Sequence, residues 1–206
     1  MNQQEKTRKT RKRILTAAIL EFGSKSYDAA SINNICESGQ ISKGLLYHNF
    51  KGKDDLYLHC VKICYEQLTD YLLAQPLDPQ DPRKNFQQLL DCRQQFFSEH
   101  PCYANIFFNA VLQPPKHLVN QLADARRRFN DCAQQFYLDL LGSLTLRDGI
   151  SRETAMEYVS LCLEAFNGYF RRKADQNGSY QDLIRDHEGK LSRVFDIMLY
   201  GLTKEA

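Results

Sequence analysis

The segment Ile41–Leu56, ISKGLLYHNFKGKDDL, puts two glycines, three lysines, two aspartates and an adjacent tyrosine and histidine within sixteen residues. Such a mixture suits three chemistries: a glycine-lysine phosphate cradle, a histidine-based metal site, or a polar helix face that meets a polyanion. Gly44 and Gly52 lie at the wrong spacing for a phosphate loop, and His48 has no second ligand at a usable spacing within the stretch. A second constellation, His59-Cys60-x-x-x-Cys64, sets two cysteines one helical turn apart, a spacing that can hold one edge of a metal site. Those cysteines also fall among Leu56, Val61 and Leu68, where small buried hydrophobes are the simpler reading. No C-x-x-C pair occurs, and neither a metal nor a cofactor is expected. G-x-S-x-G, the Walker motif and paired carboxylates are all missing, so the residues do not point to an enzyme.

The elements that must position these residues belong to a chain of 206 residues, 43% hydrophobic and 25% charged, with ten glycines and six prolines. That composition supports a real core and argues against disorder. Apolar runs are short and interrupted by charge, and no h-region follows the basic first thirteen residues. The expectation is a cytoplasmic protein without a membrane partner, its seven cysteines reduced. Charge is uneven. Residues 1–62 carry eleven Lys/Arg against six Asp/Glu, a net +5, while the whole chain is +2 and its remainder therefore acidic by three. A basic module on an acidic remainder suits a polyanion partner or a solvated basic tail.

The apolar pattern is helical nearly throughout, and the predicted class is all-α. Ile14, Leu15, Ala18, Ile19 and Phe22 stripe a first helix. Ser31 is a candidate N-cap for a short helix holding Ile32, Ile35 and Cys36, with Gly39 placed for a left-handed residue just past its end. Ser42 can cap the next short helix, and Asp54 and Asp55 open a longer one running to Leu72. The proline-rich QPLDPQDP and QPP stretches break the pattern. Helices are predicted near 84–98, 103–112, 116–141, 152–174 and 180–202, the last two separated by DQNG.

Two short helices joined by a glycine-bearing turn over Ser31–Phe50 form a helix-turn-helix, whose second helix enters a DNA major groove. Ile32 and Ile35 would face Leu45 and Leu46, leaving Lys43, Gly44, Tyr47 and His48 outward. Around this unit the sequence TRKRILTAAILEFGSKSYDAASINNICESGQISKGLLYHNFKGKDDL resembles the DNA-binding domain of the TetR family of bacterial transcription regulators. Phe22, SYDAAS, Ile35–Cys36, Gly39, SKG, LY, Phe50 and the K-x-K-D-D-L run carry the resemblance, which covers about residues 7–58.

The resemblance implies a three-helix DNA-binding domain, residues 1–53, and a larger helical effector-binding and dimerisation domain, residues 54–206. Ser31 and Ser42 would meet phosphates at helix starts. Lys43 and Gly44 would open the recognition helix, with Tyr47 and Lys53 on phosphates. Many members place a histidine directly before the final Phe; here Asn49 stands there, so it takes the phosphate place and His48 turns to the groove. Lys6–Arg13 is either a minor-groove arm or a source of non-specific phosphate attraction.

Aromatic residues crowd the middle helices, and Phe96, Tyr103, Phe107, Tyr137, Cys162 and Phe166 are the candidates to line a small, largely apolar effector. The stripes of the last two helices, with Tyr158, Cys162, Tyr169, Leu191, Val194, Phe195 and Met198, are candidates for a homodimer interface. The expected protein is a homodimeric repressor that binds a palindromic double-stranded DNA operator and is released by a small molecule.

Overall fold

The computed structural model describes residues 3–78, 80–174 and 179–203, and the DQNG separator lies outside them. The described residues are all-α, with helices α1 (Gln3–Phe22), α2 (Ile32–Ser38), α3 (Lys43–Asn49), α4 (Lys53–Leu73), α5 (Pro82–Glu99), α6 (Pro101–Leu112), α7 (Val119–Ala125), α8 (Arg127–Ser143), α9 (Arg152–Ala174) and α10 (Tyr180–Leu202). A 3₁₀ turn at Lys116–Leu118 precedes α7. None of the described helices is long and apolar enough to cross a membrane.

Two compact units result. The first comprises Met1–Gln67 with Phe97–Arg127, and the second Leu68–Phe96 with Arg128–Ala206. In the first unit the predicted stripe of α1 is buried: Ile14, Ala18 and Phe22 are at most 1% exposed. Phe22 meets Tyr57 edge-on, with ring centroids 5.0 Å apart, and Tyr65 lies 4.7 Å from Phe107. Gly23 lets α6 approach, because a Cβ there would stand 2.5 Å from Cys102 Cβ and from the Ile19 carbonyl oxygen. The Asn105 side chain then donates to the Gly23 carbonyl at 2.6 Å, and Asn109 to that of Lys25 at 3.3 Å.

The second unit is cored by Phe86, Leu140, Leu141, Val159, Leu191 and Phe195. A polar seam crosses it. Arg93 donates to Glu188 at 2.9 Å, and Ser192 donates to Gln87 at 2.8 Å. The His187 ring lies 3.0 Å from both Glu188 and the Asn167 side chain, and it packs against the rings of Phe166 and Phe170, which also touch each other. Burial pushes the His187 imidazole below its ordinary range, with Glu188 opposing. The 144–150 loop is closed by Arg147 N–H donating to Leu202 O at 2.9 Å, and Gly149 supplies a φ of 82°.

Two local expectations need correction. The helix predicted across 116–141 is a 3₁₀ turn, α7 and α8, with Arg126 at φ −100°, ψ 5° between the two helices. Pro115 explains the 3₁₀ start, its carbonyl accepting from Leu118 N–H at 2.9 Å. Neither Pro nor Gly marks Arg126, so apolar periodicity runs straight through the step. Gly39 has an ordinary helical φ of −81°, and the left-handed residue is Gln40, at φ 50°. Glycine is needed at 39 for space: a Cβ would lie 3.0 Å from Ala17 Cβ and 2.4 Å from Ile41 Cδ1.

Candidate nucleic-acid interface

The helix-turn-helix is assembled by caps and one buried acid. Ser31 is extended, and its hydroxyl accepts from Asn33 N–H at 3.1 Å; Ser42 does the same for Leu45 N–H at 3.2 Å. Between the helices, Ile41 N–H donates to Cys36 O at 2.8 Å. Ile35 and Leu46 are fully buried, and Cys36, Ile41 and Phe50 nearly so, so this side of both helices is spent on the core.

Glu21, near the end of α1, ties the entry to α2. Its carboxylate accepts from Lys25 Nζ at 2.8 Å and from Ser31 N–H and Asn34 Nδ2 at 3.0 Å each. Burial alone would raise its pKa, but the Lys25, Ser31 and Asn34 bonds outweigh that and hold it below the usual carboxylate range.

What remains outward on α3 is the face formed by Lys43, Gly44, Tyr47 and His48, all exposed. Nothing lies within 4 Å of the position a Gly44 Cβ would take, so the helix presents bare backbone there. Asn49 is turned back on its own helix: it is half-buried, and its carboxamide donates to Leu45 O at 2.8 Å. Its backbone carbonyl accepts from Arg11 at 3.0 Å, while the same guanidinium stacks 4.2 Å over the Phe50 ring. Arg11 thus fastens the end of α3 to α1.

Lys53 is held at the start of α4. Its ammonium donates to the Asp28 carbonyl at 3.3 Å and lies 4.4 Å from the Tyr27 ring centre. The neighbouring Asp54 accepts from the Tyr27 hydroxyl and lies 3.2 Å from His117 Nε2. The Tyr27 bond, with His117 and Lys53 assisting, holds Asp54 below the usual carboxylate range; burial and then Asp54 push the Tyr27 hydroxyl up. Lys6, Lys9, Lys12 and Arg13 on α1, with Ser38 and Gly39, line a surface groove of about 760 Å³.

The contacts made by Arg11, Glu21, Tyr27 and His117 were missed by sequence reasoning, although Arg11 lies in the basic Lys6–Arg13 run and Tyr27 in SYDAAS. Only Glu21 had a sequence signal, an acid four residues before Lys25. The long-range partners of Arg11, Tyr27 and His117 have none.

The candidate effector residues are not brought to one place within either unit. Tyr103 and Phe107 belong to the first unit and Phe96, Tyr137, Cys162 and Phe166 to the second. Tyr103 lies on α6, where its carbonyl accepts from Cys64 Sγ at 3.2 Å. Burial pushes the Cys60 and Cys64 thiols up, away from the thiolate that metal binding or oxidation needs. Among the candidate interface residues, Tyr158 and Tyr169 are exposed, and Cys162 and Val194 half-buried. Leu191, Phe195 and Met198 are at most 4% exposed and fill the core of the second unit, so they offer no surface to another chain. The exposed apolar side chains nearby are instead Leu161, Ile197 and Tyr200.

Residues 14–60 match the family profile described as bacterial regulatory proteins, tetR family. The chain is 33% identical over 61 residues to the biofilm operon icaADBC HTH-type negative transcriptional regulator IcaR of Staphylococcus epidermidis; the match spans 30% of this chain and 33% of that relative. The fold is shared along nearly the whole chain with a TetR family regulator from Chloroflexus aurantiacus, at TM-score 0.60, 22% identity and coverage of 96% and 95% of the two chains. It is likewise shared with NalD, the secondary repressor of the MexAB-OprM multidrug efflux pump in Pseudomonas aeruginosa, at TM-score 0.57, 20% identity and coverage of 97% and 99%. The family match thus rests on the helix-turn-helix segment, residues 14–60, which is similar to the DNA-binding part of bacterial regulatory proteins of the tetR family, while beyond it the likeness to these solved structures is one of all-α fold.

Proposed function

We propose that the protein is a cytoplasmic, homodimeric transcription regulator that represses by binding a two-fold symmetric DNA operator and lets go when a small molecule binds. The observation that carries this reading is the outward face of α3: Lys43, bare backbone at Gly44, Tyr47 and His48, on a helix whose other side is buried. Lys43 and His48 supply donors for base edges or phosphates, and Gly44 allows close approach of the backbone. Ser31 and Ser42 stand at helix starts, where free N–H groups favour phosphate. Lys53 turns from the Asp28 carbonyl to a phosphate oxygen on binding, and Asn49 acts by fixing the end of α3. The α1 lysines add sequence-independent attraction.

A two-fold dimer sets two recognition helices about one DNA turn apart, roughly 34–36 Å. Tyr158, Leu161, Tyr169, Ile197 and Tyr200 on α9 and α10 supply the dimer surface; all five are 40–68% exposed. Selection from a random duplex library with the purified protein tests the reading. The expected product is a sequence with two-fold symmetric half-sites. Failure to enrich any sequence, with the protein folded and dimeric, contradicts it.

A further inference from the structure

One cavity of about 280 Å³ belongs wholly to the second unit, between the start of α5 and the last turns of α8. Its floor is apolar and buried: Phe86, Leu89 and Leu140. Its walls are Leu77, Pro82 and Phe136. Asn85 builds the rim. It accepts from Asp78 N–H at 2.7 Å and donates to the Asp78 carbonyl at 2.6 Å, folding the 76–78 segment against α5 so that Leu77 becomes a wall. Gln88 secures the same segment by donating to the Pro76 carbonyl at 3.1 Å. Both polar ends of Asn85 are therefore occupied. The remaining polar lining group is Asp139, whose exposed carboxylate accepts from the Gln135 amide at 2.8 Å and has no Lys, Arg or His within ion-pair distance among the described residues.

A carboxylate with no protein counter-charge, set beside the Phe86 and Phe136 rings at the mouth of an apolar cavity, matches one chemistry: a cation on an apolar body. We infer that this cavity binds a small hydrophobic amine, its ammonium at Asp139 and its apolar part on Phe86, Phe136 and Leu140. The volume is just below the usual range of small-molecule sites, about 300–1,000 Å³, and suits a single-ring compound. An anionic or neutral compound of the same shape would leave the carboxylate unanswered. The inference deepens the ligand-response part of the proposed function by naming the effector class.

Calorimetric titration of the full-length protein, without DNA, with phenylbutylammonium, phenylbutanol and phenylbutyrate tests it. The amine should bind about tenfold more tightly than the alcohol, from the ion pair and the aromatic faces together, and the acid more weakly than either. Asp139→Asn should bring amine and alcohol within about threefold, and raised salt should narrow the gap in the wild type. Equal binding of the three compounds, or an amine preference that survives Asp139→Asn, overturns the assignment. Because no DNA is present, either failure is distinct from failure of the DNA-binding reading.

Discussion

At the scale of single residues, two buried titratable groups make opposite demands on their surroundings. Glu21 is ionised in the fold, bracketed by Lys25, Ser31 N–H and Asn34. Because its pKa is depressed, its contribution is present above the unfolded carboxylate value of about 4.3 and is lost as pH falls through the lower folded value. Glu21→Gln should therefore cost about 1–3 kcal/mol of stability at pH 7, with the gap to wild type closing in urea titrations below pH 4. His187 is also depressed, chiefly by burial, with Glu188, Arg93 and Asp186 around it. Below the unfolded value of about 6.5 the unfolded chain takes up the proton more readily than the fold does, so stability should decline as pH drops from 7 toward 5.5. Thermal melts across that range should show this slope in the wild type and a flatter one in His187→Gln; parallel slopes contradict the assignment. Glycines at 23 and 44 separate fold from function. Gly23→Ala meets Cys102 and the Ile19 carbonyl and should destabilise by about 1–3 kcal/mol. Gly44→Ala meets nothing, so the melt should hold or rise while affinity for the selected duplex falls.

At the scale of elements, the proposed interface is a division of labour within two seven-residue helices. Each is too short to be stable alone, and each is held by a serine cap and by one apolar side packed on the first unit's core. Phe50→Ala removes a buried ring together with the stacking partner of Arg11, and should cost about 3–5 kcal/mol in chemical denaturation. The caps, the buried side and the outward side of α3 were legible in sequence because they follow local rules: a serine before each helix and a 3.6-residue alternation of apolar and polar. The ends of α9 and α10 were legible for the same reason. The step at Arg126 was not, since a single off-helix residue in a helix-favouring run leaves no compositional trace. Nor was the reason for Gly39, which lies in the approach of Ala17 from another helix, or the bond from Arg11 to Asn49, 38 residues apart.

At the scale of the whole molecule, the apolar stripes of α9 and α10 were visible in sequence, but periodicity does not say which part of a wide stripe turns inward. Leu191, Phe195 and Met198 close the second unit's own core; Leu161, Ile197 and Tyr200 are left outside. Ile197→Glu should therefore convert a dimer to a monomer in light scattering with little loss of protomer stability, whereas Phe195→Ala should mainly lower the melt. A dimer mass unchanged by Ile197→Glu together with Leu161→Glu places the subunit contact elsewhere. The central claim, that the outer face of α3 reads DNA, is tested most directly by fluorescence anisotropy of the selected duplex against wild type and Lys43→Ala. The account predicts at least a tenfold loss of affinity in the variant, with an unchanged helical circular dichroism spectrum. Equal affinity at matched salt would contradict it.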